Sequence, residues 1–436
     1  GPRGSGKSIT AATFALDLAR TTDWSFTWIH LVRKQPPLYV RLERSTKKSK
    51  GNMIDKEGLR QILDEVEDTK KHFVILDGVT DDNGAEGKTC FEWLRADWAN
   101  RRLVMVTSMD SRRKVNLDDD ETFKVKEHVV PSWTLSEYLD AVNDDELFES
   151  VRSDLDASDE EDPTRQELVE AKYYFAGGSA RYMFGCSTAT VMTSLDDAVS
   201  AVSNNTPVKT HSTGVINRLF GKYGDGRGII SRYAASALAL AGGSELIKRF
   251  ASFLTRCSNT ATDGVILEMY VFACIREGRF RLKTWLQEGK LVFEADTATK
   301  FPKSVVLVVD PKKLPLLPKL CWLKPKKYNQ GGYDAVYINK EYQLVRFVQV
   351  AKSDKQSFFI HYFKEFLDSL KQREMPHVSL VEIFVVVDKQ KIAKFKFSKV
   401  VGEGGLADFG WRIGEETENV KRAVLKGVGS WDAIRW

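Results

Sequence analysis

The chain opens with Gly1-Pro2-Arg3-Gly4-Ser5-Gly6-Lys7-Ser8, whose spacing satisfies G-x-x-x-x-G-K-S. Glycines at positions 1, 4 and 6 let backbone N–H groups wrap phosphate oxygens at the start of a helix, where the dipole favours anions. Lys7 is then expected to reach the β- and γ-phosphates, and Ser8 to hold Mg²⁺. The matching partner is Asp77, which closes the apolar run Phe73-Val74-Ile75-Leu76. A carboxylate there holds the same magnesium through its water shell; the alternative is a turn-forming Asp before Gly78. Many hydrolytic proteins of this type carry Glu at the next position. Here it is Gly78, which leaves Asp81, Asp82 or Glu86 to activate water. Thr107 and Ser108 either sense the γ-phosphate or cap a strand. Arg181, delivered by Ala176-Gly177-Gly178-Ser179-Ala180, either contacts the nucleotide from a helical lid or caps a helix at the surface. The expected cofactors are ATP or GTP with Mg²⁺, and binding is better supported than hydrolysis.

A second constellation lies in the C-terminal half. Glu268 sits on a helix over Val265 to Arg276, Asp334 opens the strand Ala335-Val336-Tyr337-Ile338, and Gln349 lies on the next strand with Lys352 just beyond. A carboxylate, a polar acceptor and a lysine on adjacent strands suit magnesium-dependent phosphodiester cleavage. Asp334 would bind the metal, the metal would activate water, and the lysine would neutralise the phosphate. From spacing alone this pattern is weak. Phe347, Phe358, Phe359 and Tyr362 fit a core better than a base-stacking surface, and His361 reads as a cap or packing residue.

These residues need positioning elements. Helical spacing of Ala11, Phe14, Ala15 and Leu18 predicts a helix over Ser8 to Arg20. Strands are expected at 38–42, 73–76 and 103–106, with a short extended run at 128–130. Helices are expected over Glu57 to Glu67 and around Phe91, Leu94 and Trp98. Apolar runs separated by helices fit buried parallel strands. From Thr134 to about Leu254 the pattern is helical and strand signals disappear. Asp154 to Asp162 reads as an exposed acidic loop, and 204–207 and 221–226 as linkers. From Asp263 onward a helix, several strands, a helix over Ser357 to Leu370 and a strand over Val378 to Val387 make a second α/β unit. A P-loop normally follows a buried strand, so the first strand and any targeting segment are expected upstream of Gly1.

With 436 residues, two or three units are the prior. No apolar run approaches the roughly 18 residues of a membrane span. Five scattered cysteines without C-x-x-C spacing suggest reduced thiols in an intracellular setting. The net charge of +5 hides a division: acidic residues outnumber basic ones roughly two to one between 101 and 200, and the ratio reverses between 301 and 400. A basic half is what phosphate-backbone binding requires, although a charge run is as readily a solvated face.

The chain resembles the Crinkler effectors of oomycetes and chytrid fungi and the related retrotransposon hot spot proteins of trypanosomes. The resemblance rests on Gly1 to Ser8, Ile75-Leu76-Asp77-Gly78, Ser132-Trp133-Thr134-Leu135-Ser136-Glu137-Tyr138 and Tyr173-Tyr174-Phe175-Ala176-Gly177-Gly178-Ser179-Ala180-Arg181. Gly264 to Gly278, and Asp334 through Gln349 to His361, extend it. It implies an α/β P-loop NTPase of the AAA or STAND type over 1–140, a helical lid or linker over 141–255, and a restriction-endonuclease-like PD-(D/E)xK domain over 256–436. It further implies a secreted protein delivered into host cells, often to the nucleus, that provokes cell death. Host DNA is the implied partner, host proteins and self-association are left open, and no membrane is involved. Carried over, Glu268 is the helix glutamate, Asp334 the metal aspartate and Gln349 the position often held by Glu. The family's lysine position falls on Ala351; Lys352 is one step along, on the opposite strand face, and Lys355 is a further candidate from the loop. These departures put cleavage in question and raise an alternative: a nuclease-like domain that binds DNA or protein under nucleotide control.

Overall fold

A computed structural model of the protein describes residues 2, 4–32, 37–42, 48–52, 56–65, 71–80, 84–107, 124–158, 162–203, 218–224, 226–254, 260–288, 291–326, 332–351 and 354–426. The chain is mixed α/β and divides into two compact units. The first comprises Gly1–Asp156, Ala176–Val191 and Lys209–Gly224; the second comprises Ala157–Phe175, Met192–Val208 and Asp225–Trp436.

The first unit begins with α1 (Lys7–Thr21), followed by β1 (Ser25–His30), β2 (Leu38–Leu42), β3 (Lys48–Asn52), α2 (Lys56–Asp64), β4 (His72–Val79), α3 (Gly84–Ala96) and β5 (Arg101–Thr107). The sheet order is β3-β2-β1-β4-β5. β1, β4 and β5 run parallel, whereas β2 and β3 are antiparallel additions at one edge. Alternation gives each face its own core. Ile29, Val74 and Leu76 pack with Leu59, Ile62 and Leu63 of α2 and Cys90 and Trp93 of α3. Phe26, Ile75 and Val106 pack with Ala15 of α1 on the other face. The helix expected through Trp98 stops at Ala96, and Trp98 is 60% exposed. The run 128–130 belongs to no strand.

The middle of the chain contributes α4 (Leu135–Ala141), α5 (Asp145–Val151), α6 (Arg165–Ala176), α7 (Ala180–Phe184) and α8 (Thr188–Ser203). Two short strands, β6 (Phe220–Tyr223) and β7 (Gly226–Ile229), stand where the sequence predicts only helices and a linker. Their glycines read as breakers along the chain, yet an extended backbone accommodates them. Residues 204–210 lie outside the described residues.

The second unit contains α9 (Arg232–Leu254), kinked at Gly243, and α10 (Thr260–Glu277). Then come β8 (Arg281–Glu288), β9 (Leu291–Lys300), β10 (Val305–Val309), β11 (Leu320–Pro325), β12 (Ala335–Asn339), β13 (Leu344–Val350) and β14 (Lys355–Phe359). The chain continues through α11 (Ile360–Arg373), β15 (Leu380–Val386), β16 (Lys396–Val401), α12 (Glu416–Asn419) and β17 (Lys421–Leu425). Eight strands form one sheet in the order β10-β11-β12-β13-β15-β17-β8-β9. β11, β12 and β13 are an antiparallel meander, and β15 lies parallel to β13 after the crossover helix α11. Phe363, Phe366, Leu367 and Leu370 of α11 cover the face formed by Val336, Ile338, Val345 and Phe347. Residues 357–359, expected in that helix, belong to β14 instead. Among the described residues no helix is long and apolar enough to cross a membrane.

Candidate functional site

The first site lies where α1 begins. Gly6 caps α1 in a left-handed conformation and Gly4 is left-handed too, with φ of 91° and 76°. This turn leaves the first N–H groups of α1 without intrahelical partners and directed outward. Lys7 Nζ donates to the Pro2 carbonyl, and Ser5 Oγ donates to the same oxygen at 3.0 Å. Gly1 and Arg3 lie outside the described residues.

Ser8 and Asp77, 69 positions apart, meet directly: Ser8 Oγ donates to Asp77 Oδ1 at 2.9 Å. Asp77 is buried on the last inward turn of β4, and its other oxygen lies 3.0 Å from His30 Nδ1. His30 is the register partner of Asp77 on the parallel strand β1. Gly78 follows at φ 87°, where a Cβ would come within 2.5 Å of the Leu31 carbonyl oxygen. That contact is a structural reason for glycine at the position where hydrolytic proteins often carry Glu. Burial pushes the Lys7 ammonium down to about 8, with Asp77 opposing the shift and Arg181 adding to it.

Arg181 is brought to the same loop, since its N–H donates to the Gly4 carbonyl at 3.3 Å. A Cβ on Gly4 would run into Ser179 Oγ, so the two turns fit only with glycine there. Trp133 closes the other side: Nε1 donates to the Ser5 carbonyl at 3.3 Å and its N–H donates to the Gly178 carbonyl at 3.0 Å. A capping box between Thr134 and Glu137 starts α4 just after Trp133 and fixes where the indole enters. Thr107 ends β5. Glu86 lies in the first turn of α3, its buried Oε2 without a hydrogen-bond partner among the described residues, while Asp81, Asp82 and Ser108 lie outside them. His30 and Trp133 are the contributors that spacing does not reveal: His30 matches no motif position, and Trp133, although it lies in the Ser132 to Tyr138 segment of the resemblance, carries no expected role at the loop.

The second site is organised around an arginine. Arg232, the first residue of α9, places Nη2 3.2 Å from Glu268 Oε2 on α10. Burial opposes the guanidinium's charge, but Glu268 and then Asp334 more than restore it and raise its pKa above the ordinary value. Asp334 is fixed beside β13, its N–H donating to the Val348 carbonyl at 2.8 Å and its Oδ2 accepting from Val350 N–H at 2.6 Å. Glu268 and Asp334 are thus gathered about Arg232, a residue the motif reading did not single out. Gln349 is only 7% exposed, and its Oε1 has no hydrogen-bond partner among the described residues. Strand alternation sets it on the face of Phe347 and Ala351, under α11. Lys324 of β11 faces the other way and reaches the ring of Phe272 on α10. Lys352 lies outside the described residues, and Lys355 is exposed on β14. The His361 ring lies 4.1 Å from that of Tyr362, and Phe347 and Phe358 are core residues.

Among the described residues no three His, Cys, Asp or Glu side chains converge on one point. Magnesium does not require this, since one or two carboxylates with waters and substrate phosphates suffice. Ser8 with Asp77, and Asp334 with Glu268, are donor sets of that kind. Comparison with family models, with curated proteins and with solved structures finds no match for this chain.

Proposed function

We propose that the first unit binds a nucleoside triphosphate with Mg²⁺, and that its nucleotide state controls a nuclease-like second unit acting on DNA. The Ser8–Asp77 hydrogen bond carries the first half of this reading. Two residues assigned to one magnesium ion on independent sequence grounds meet at one point. With the ion bound, its charge would be shared between Ser8, Asp77 and the phosphates. The protein's own part is positional: left-handed Gly4 and Gly6 shape the loop, α1 offers its N–H groups, and Lys7 exchanges the Pro2 carbonyl for a phosphate oxygen. Arg181 and Trp133 brace the loop from outside.

For the second unit, the antiparallel meander β11-β12-β13, the crossover α11 and parallel β15 support a restriction-endonuclease-like core, with α10 supplying Glu268. Asp334 and Glu268 would hold the divalent ion that activates water in such a site. The resemblance to Crinkler effectors supplies the cellular setting, a secreted protein acting on host DNA. A second reading, a nucleotide-switched binding module without cleavage, is favoured by one specific observation. Arg232 already pairs with Glu268, one of the carboxylates that a metal would use, and its charge also faces Asp334.

Plasmid nicking with Mg²⁺ or Mn²⁺, with and without ATP, separates the two readings. The nuclease reading requires cleavage by the parent and none by Asp334→Ala. ATP affinity, measured in parallel, should vanish in Lys7→Ala with the fold intact. Unchanged affinity in that variant would remove the P-loop assignment. Absence of cleavage from protein that still binds ATP would select the binding module.

A further inference from the structure

Between Lys389 and Lys399 the chain carries five lysines and no acidic residue. Ile392 and Phe395 anchor this segment in the core of the second unit, while Lys389, Lys394, Lys396 and Lys399 remain exposed. β16 pairs in parallel with β14, and the register slips between Gln356 and Ser357, so that Ser398 is an extra residue on β16. Strict alternation would send Lys396 and Lys399 to opposite faces. The bulge turns both outward, while Phe397 and Val400 pack against the core. Lys396 also sits directly opposite Lys355. Among the described residues no carboxylate forms an ion pair with Lys394, Lys396 or Lys399.

Topology places this ribbon. β13 and β15 are parallel and both end where antiparallel β12 begins, so β14 and the lysine segment leave the sheet at the Asp334 end. Most aromatic residues of the ribbon point inward: Phe358 and Phe395 are buried and Phe397 packs on the core, while half-buried Phe359 lies against the rings of His361 and Tyr362. A single-strand surface would present such rings for stacking. Here the outward groups are ammonium ions and the hydroxyls of Ser357 and Ser398, which suit a phosphate backbone.

We propose that the β14–β16 ribbon, through Lys355, Lys394, Lys396 and Lys399, is a track for the phosphate backbone of duplex DNA at the Asp334 end of the sheet. This rests on the nuclease-like reading of the second unit, yet it is tested without cleavage. Full-length Asp334→Ala protein in EDTA is titrated into a fluorescein-labelled random-sequence duplex, and anisotropy is followed over a range of salt concentrations. Lys394→Gln/Lys396→Gln/Lys399→Gln in that background should weaken binding and lower the slope of log affinity against log salt by about one per lysine. The Lys319→Gln/Arg373→Gln protein, altered at the opposite end of the sheet, should match the parent. Equal slope and affinity in the triple variant, or no duplex binding by the parent, overturns the track. So does lysine-dependent binding to phosphatidylserine vesicles in place of the duplex. Lysine-dependent duplex binding, together with a parent protein that fails to nick plasmid in Mg²⁺ or Mn²⁺, would sink the cleavage reading and leave the track standing.

Discussion

At Lys7 the enclosure that makes the loop specific also weakens the charge it needs. Burial lowers this ammonium to about 8, whereas in the unfolded chain it titrates near 10.5. Between those values the unfolded state binds more protons, so this group's contribution to stability rises with pH across the window and is unfavourable below it. Nucleotide binding works in the opposite sense. A triphosphate favours the charged ammonium, so affinity should be level below pH 8 and then fall about ten-fold per pH unit until the pKa of the bound state is passed. Calorimetry across that range should show proton uptake on binding near pH 8 and 9. A pH-independent affinity would mean that Lys7 does not face the phosphates. Gly4 sets a second requirement at the same scale. Gly4→Ala must adopt a positive φ and push Ser179 aside, so it should cost about 1–3 kcal/mol and abolish ATP binding while leaving the second unit folded. Denaturant unfolding with a binding titration checks both effects.

The elements explain which parts of this could be read along the chain. β2 was legible to the residue, and β4 and β5 in their apolar middles, 73–76 and 103–106, while their polar ends were not; α1 announces itself by its spacing. β1 was not, since Ser25, Thr27 and His30 interrupt its pattern. Thr27 and Ser25 are there to bond the buried His72, whose ring nitrogens lie 2.9 and 2.6 Å from their hydroxyls. His30 was therefore invisible as a partner of Asp77, although the parallel register makes it one. Asp77 and Ser8 were readable because strand ends and helix starts mark themselves locally. Arg232 was not, because its role depends on a partner 36 positions away. The capping box at the start of α4 gives an element-scale test. Thr134→Ala should destabilise the first unit by about 1 kcal/mol, and ATP affinity should fall with it because Trp133 loses its fixed entry. A stability loss with unchanged affinity would show that the indole does not brace the loop.

On the scale of the whole molecule, the two units carry sites of different chemistry on one chain that passes back and forth between them at 156, 175, 191, 208 and 224. Each site can be disabled alone: Lys7 lies in the first unit, and Asp334 in the second. That separation allows control of one unit by the other to be measured. At one hundred times its Kd, Mg²⁺-ATP should stabilise the unit that binds it by about 2.7 kcal/mol, and hydrogen exchange around residues 4–8 and 77 should slow accordingly. If the nucleotide state governs the second unit, exchange must also change at residues 334–350 and 396–401, which share no binding group with the nucleotide. Lys7→Ala should abolish both responses together, while Asp334→Ala should leave both intact. A response confined to the first unit would show that the nucleotide acts only where it binds. Control of the nuclease-like unit would then have to come from DNA itself.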